Sequence, residues 1–133
     1  MKPAFADTFY YLAILNPNDN RHADAQAISK SISAPLITTQ WILTEVADAL
    51  SAPVHRPKFG ILLDALRKDQ GTQIIPADSA WFDLGVNLFK SRPDKDWPLT
   101  DCISFVVMKQ LGLTQALTGD KHFEQAGFEM LMK

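Results

Sequence analysis

Short apolar runs alternate with longer amphipathic stretches along this chain, and that alternation is its first structural signal. Residues 3–6, 35–39 (PLITT) and 72–76 (TQIIP) are brief runs dominated by apolar and β-branched side chains, the pattern of strands buried on both faces. Residues 115–118 (QALT) and 128–132 complete a set of five strands, and helix-length segments lie between them at 21–33, 39–51, 58–70, 79–91 and 101–111. Strands that alternate with helices predict a doubly wound α/β domain with a parallel sheet and right-handed crossovers. Pro53 and Pro57 separate two of the helices, Pro93 and Pro98 bracket a polar loop, and Gly112 follows a helix end where a left-handed cap is common. No boundary interrupts this order, so residues 1–133 read as a single domain.

Against this frame four acids fall in informative places. Ligands of open α/β sheets bind beyond the carboxyl ends of the strands. Asp7 directly follows the first strand and Asp120 follows the fourth, with Gly119 between, so both belong on that edge. Asp101 begins a helix after Pro98 and Thr100, where a carboxylate caps free N–H groups and feels the positive end of the helix dipole. The rest of that helix, from Cys102 through Phe105 to Leu111, is apolar almost all round, which predicts burial and leaves Asp101 and Ser104 as polar groups near an interior. Glu45 conflicts with its own helix: it sits within the apolar arc of Trp41, Ile42, Val46 and Ala49, while Thr44, Asp48 and Ser51 hold the opposite side. Burial of such a carboxylate without a partner is costly.

Carboxylates gathered at one edge repel: two charges 4 Å apart cost about 4 kcal/mol at an effective dielectric near 20. Protonation, basic partners or a hard divalent cation would relieve this. No Lys or Arg adjoins Asp7, Glu45 or Asp101 in sequence, although Lys121 follows Asp120. A metal ion with oxygen ligands explains the set best.

Composition narrows the class further. With 47% hydrophobic and 21% charged residues the chain has ordinary globular proportions, and a disordered tail is not expected. The net charge of -2 shows no broad basic footprint of the kind phosphate binding usually leaves. Basic residues do gather at His55, Arg56 and Lys58, with Arg67 and Lys68 further on, and they read as solvated surface. The single Cys102 excludes an intramolecular disulfide and a Cys-rich zinc site. No apolar run approaches the roughly 20 residues of a membrane span. Asp7 interrupts the N-terminal apolar stretch at once, unlike a secretory signal, so a cytoplasmic protein with no membrane partner is expected.

Three stretches carry a family resemblance: FADTFYYLAIL around Asp7, TTQWILTEVADAL around Glu45, and WPLTDCISFVVMKQLGLTQALTGDKHFEQAGF around Asp101 and Asp120. Each alone is weakly specific, but in order and spacing they resemble the three sequence blocks of PIN domains, particularly the VapC-like ribonuclease branch. The resemblance implies a three-layer α/β/α sandwich around a central parallel sheet of about five strands, a divalent-metal site for Mg²⁺ or Mn²⁺, and hydrolysis of RNA phosphodiester bonds. It carries Asp7, Glu45, Asp101 and Asp120 over as the catalytic, metal-binding acids. Thr8, Ser104 and Thr118 match the small polar residues that accompany them, and Asp96 lies where an additional acid can occur. Asp7 and Asp101 are assigned direct contact with the metal, and Asp120 and Glu45 direct or water-mediated contact. Thr8, Ser104 and Thr118 orient the carboxylates. One or two ions would activate water and stabilise the leaving oxygen. RNA is the implied substrate, and an antitoxin protein and a second copy of the chain are candidate partners. The stretch 52–95 matches no functional block.

Other residues are left outside the site. His22, His55 and His122 lack the spacing of a zinc motif. Trp41, Trp81 and Trp97, with Phe82 and Phe89, read as core rather than as a base-stacking platform, and Cys102 as a small buried hydrophobe. A phosphatase D-x-D-x-T motif fails because Phe9 and Tyr11 occupy its second and third positions, and a receiver domain fails because Lys2, Pro3 and Ala4 offer no paired acids. The alternative that survives is a non-catalytic PIN-like module that binds RNA or protein.

Overall fold

A computed structural model describes residues 2–133. Five strands, β1 (Ala4–Ala6), β2 (Leu36–Thr39), β3 (Thr72–Ile75), β4 (Gln115–Leu117) and β5 (Glu129–Met130), form one sheet in the order β3-β2-β1-β4-β5, every pairing parallel. The first strand is central and wholly buried, as its uninterrupted AFA run requires when both faces are covered. Helices α1 (Thr8–Leu15), α2 (His22–Ser31), α3 (Gln40–Ala49) and α4 (Arg56–Lys68) pack on one another in one group. Helices α5 (Ser79–Ser91), α6 (Leu99–Gln110) and α7 (Lys121–Gln125) form another. The result is the α/β/α sandwich around a five-stranded parallel sheet that the sequence predicts. No helix of the described residues is long and apolar enough to cross a membrane.

Two helices escape the sequence pattern. In α1 (TFYYLAIL) apolar residues lie all round, so no amphipathic period marks it, and three of its eight residues are buried. The five residues of α7 are too few to show a period. The expected helix start at Asp101 also shifts: α6 begins at Leu99 with Pro98 as its cap residue, which leaves Asp101 inside the first turn, turned to a side chain rather than capping N–H groups. Gly112, at φ 69°, takes the left-handed conformation expected past this helix.

The contact between α5 and α6 depends on Gly85. A Cβ there would stand 2.3 Å from Ile103 Cγ1 and 3.1 Å from Ile103 Cα, so only hydrogen lets the helices approach this closely. Trp81, Gly85 and Leu88 share the inward face, and this orientation turns Phe82 and Phe89 outward at 42% and 52% exposure, against their expected place in the core. Ala49 is likewise exposed, whereas Trp41 and Trp81 are half-buried against the core and Trp97 is buried.

Candidate active site

From β1 the chain goes first to β2 on one side and later to β4 on the other, so the β1–β4 boundary is the point where the strand order reverses and a ligand crevice opens. Asp7 extends β1 by one residue: its N–H donates to Leu117 O at 3.2 Å, which sets Asp7 beside Thr118 at the end of β4. The Thr118 hydroxyl donates to Asp7 Oδ2 at 2.7 Å and accepts the Asp120 N–H at 3.0 Å. One buried hydroxyl thus fixes two acids at once.

The other two acids arrive on helices. Glu45, on α3, is half-buried, and its Oε1 accepts the Thr8 hydroxyl at 2.7 Å. Asp101, on α6, is 6% exposed, with Oδ2 3.0 Å from His122 Nδ1. Asp120 caps α7, its Oδ1 accepting the His122 N–H at 2.9 Å. The four acids expected from sequence all line one open cleft of about 560 Å³, with Thr8, Lys121 and His122 on its walls. Thr118 and Ser104 lie fully buried, and Asp96 is 95% exposed at its side chain, with Oδ1 3.8 Å from His122 Nε2.

His122 is the residue that sequence reasoning left out. Its Nδ1 lies 3.0 Å from Asp101 and 3.4 Å from Asp120, so one imidazole bridges acids that are 19 positions apart in the chain. The available signal was its position two residues after Asp120; its approach to Asp101 depends on α6 and α7 packing together.

Burial pushes the Asp7 carboxyl up to about 7; the charges of Asp101 and Asp120 add to the rise, and hydrogen bonds from Thr118 and the Thr8 backbone oppose it. Burial likewise raises Asp101 to about 6, helped by Asp120 and Glu45 and opposed by His122. For His122 burial works downward, but the hydrogen bond to Asp101 and the charges of Asp120, Asp101 and Asp96 together raise it.

Among the described residues no Lys or Arg pairs with any of the four acids. One donor atom each from Asp101, Asp120 and His122 falls within 4.8 Å of the others, close enough to share an ion, whereas Asp7 and Glu45 line the cleft outside that group. The buried Ser104 Oγ, one turn beyond Asp101, has no hydrogen-bond partner. An oxygen-rich donor set, acids whose ionisation is opposed first by burial and then by one another, and an orphaned buried hydroxyl on the same helix as Asp101 fit a hard divalent cation.

No family model matches the chain. It is 27% identical over 128 residues to the 23S rRNA-specific endonuclease VapC20 of Mycobacterium tuberculosis, covering 93% of this chain and 94% of that protein. Among solved structures it resembles M. tuberculosis VapC20, described as a Sarcin-Ricin loop cleaving toxin, with a TM-score of 0.85 and 22% identity over 94% of this chain and 95% of that one. Two more distant neighbours share the fold. FitAcB of Neisseria gonorrhoeae aligns at TM-score 0.64 and 18% identity over 96% of this chain and 95% of that one. VapBC2 of Rickettsia felis, bound to a DNA fragment from its promoter, aligns at 0.67 and 11% over 96% of each chain.

Proposed function

We propose that this chain, a VapC-like PIN-domain protein, is a divalent-metal-dependent endoribonuclease with Asp7, Glu45, Asp101 and Asp120 as its metal-binding and catalytic acids. One observation carries the reading: four carboxylates from four separate elements line one cleft at the point of strand reversal, with no Lys or Arg paired to them. The likeness to VapC20 over nearly the whole chain supports RNA, and ribosomal RNA in particular, as the substrate. The same likeness supports an antitoxin protein as partner, since that neighbour is described as a toxin.

Mg²⁺ or Mn²⁺ would be held by Asp7 and Asp101, with Asp120 and Glu45 direct or through water. When bound it supplies an activated water and neutralises charge that builds up on the phosphate oxygens. The chain's own contribution is preorganisation. Thr118 fixes Asp7 in one rotamer, Thr8 does the same for Glu45, and His122 donates from Nδ1 to Asp101 while its N–H holds Asp120. No side-chain nucleophile is required, because the attacking group is water and the acids serve to position it.

The test is incubation of the purified protein with single-stranded, structured and ribosomal RNA in Mg²⁺, Mn²⁺ or EDTA. Internal cleavage that requires metal and falls by several orders of magnitude in Asp7→Asn is the expected result. Equal cleavage by the two proteins, or none by the parent with any metal, would sink it; RNA affinity without cleavage would instead mark a binding module.

A further inference from the structure

Building on the nuclease reading, we infer that Lys58 and His55 form a binding site for a non-scissile backbone phosphate of the RNA, at the far end of a groove that begins at the acidic cleft. Helical spacing defines the groove. On α1, Thr8, Leu12 and the cap residue Asn16 recur every fourth position and so share a face. Thr8 lines the acidic cleft, Leu12 lines both that cleft and a second one, and Asn16 lines the second. On α3, Glu45 lines the acidic cleft and Ala49, four residues later, lines the second. The two helices pack together, so the clefts are successive parts of one groove, roughly 12 Å from Thr8 to Asn16 at 1.5 Å per residue. Lys58 and His55, at the start of α4, line its far end.

Lys58 Nζ lies 3.2 Å from His55 Nδ1. An ammonium has no lone pair, so it donates and Nδ1 accepts, which leaves the ring neutral with a second donor at Nε2. Both residues are half-buried, yet among the described residues neither pairs with a carboxylate. Asp19 lines the same cleft, but its carboxylate, which accepts the Arg21 backbone N–H at 2.8 Å, comes within 4.0 Å of neither basic group. Other basic residues without an acid partner, such as Lys30, Arg67 and Lys121, are exposed, and the half-buried Lys95 lies 5.8 Å from the centre of the Trp97 ring. An ammonium that has given up part of its hydration without gaining a counter-charge is a ready partner for an anion.

The need for such a site follows from the charge of the protein. With a net charge of -2 and a cluster of acids at the cleft, a polyanionic strand requires cations placed locally where it leaves the centre. The basic run at 55–58 therefore divides: Arg56 is exposed, bonds to Ser51 O at 3.0 Å and lines a different cleft, whereas Lys58 and His55 face the groove.

Binding of a fluorescent single-stranded RNA is measured in EDTA across a salt series for the parent, Lys58→Gln, Lys58→Arg and, as a control from the end of α2, Lys30→Gln. Loss of the Lys58 charge is expected to weaken binding roughly five- to tenfold and to reduce the salt slope by about 0.7, the value for one phosphate contact on a single strand. Lys58→Arg and Lys30→Gln should stay close to the parent. With metal, Lys58→Gln should raise KM and leave kcat within about twofold, since the contact is remote from the reacting bond. Unchanged affinity and slope in Lys58→Gln, an equal loss in Lys30→Gln, or no RNA binding by the parent would each overturn the proposal. Lys58-dependent binding by a parent that never cleaves would leave the phosphate site standing and remove the nuclease reading alone.

Discussion

Asp7→Asn should make the metal-free protein more stable, by an amount that depends on pH in a calculable way. Asp7 is 4% exposed, and its carboxyl is pushed up to about 7, against about 3.9 in an unfolded chain. Below pH 4 the proton is bound in both states and costs nothing. Between 4 and 7 the unfolded chain releases it while the folded protein retains it, so stability falls by about 1.36 kcal/mol per pH unit and levels off above 7. From pH 5 to pH 8 the parent therefore loses about 3 kcal/mol on account of Asp7, a loss the amide cannot suffer. Asparagine keeps an oxygen for the Thr118 hydroxyl, so packing and that hydrogen bond survive. Urea denaturation of both proteins in EDTA at pH 5 and pH 8 reads the difference directly. The stability gap should widen in favour of the mutant by about 3 kcal/mol at the higher pH. Mn²⁺ at 100 times its dissociation constant should then close most of that added gap, because it contributes about 2.7 kcal/mol to the parent and much less to the mutant. A gap that is the same at both pH values would refute the reasoning, since it would mean that Asp7 ionises in the fold as readily as in the open chain.

Mn²⁺ affinity should rise roughly twentyfold from pH 6 to pH 8, because Asp7 at about 7 and Asp101 at about 6 must lose protons before they can hold an ion; a flat titration across that range would contradict it. Thr118→Val removes the hydroxyl shared by Asp7 and Asp120, and should cost about ten- to a hundredfold in cleavage or metal affinity with the fold intact by circular dichroism. Gly85→Ala should destabilise by up to about 2 kcal/mol, what remains of an overpacking cost of about 1–3 kcal/mol against Ile103 after the roughly 1 kcal/mol that alanine gains in helix propensity; a rise in Tm would show that α5 can move away freely.

How much of this was legible in the sequence depended on whether the signal was periodic. The five strands were readable because each is a short apolar run between breakers, and α5, bounded by Asp78 and Arg92, matches its expected limits. The α1 helix was not readable, because the same feature that buries it, apolar residues on every face, erases the period by which helices are recognised. Phe82 and Phe89 were assigned to the core on hydrophobicity. The deciding fact was a glycine at position 85, which draws the opposite side of α5 onto Ile103.

The acids followed a different logic. Asp7 and Asp120 could be placed because strand ends fix them, and Glu45 because a carboxylate within an apolar arc is a local contradiction that a functional site resolves. Asp101 was expected at a helix start, after Pro98 and Thr100, but the helix begins two residues earlier and the carboxylate turns to His122 instead of capping N–H groups. That partner lay beyond any local reading. His122 follows Asp120 on a five-residue helix with no period of its own, and it meets Asp101 only because α7 packs against α6, whose first turn carries that acid. The same limit concealed the pairing of Lys58 with His55 within a run of surface charge. Adjacent basic residues look alike in sequence, and what separates Lys58 from Arg56 is the groove that α1 and α3 form when they pack. A site built at a point of strand reversal draws its side chains from elements far apart in the chain. Sequence therefore exposes those that break a local pattern, such as Glu45, and hides those whose local pattern is already complete, such as His122.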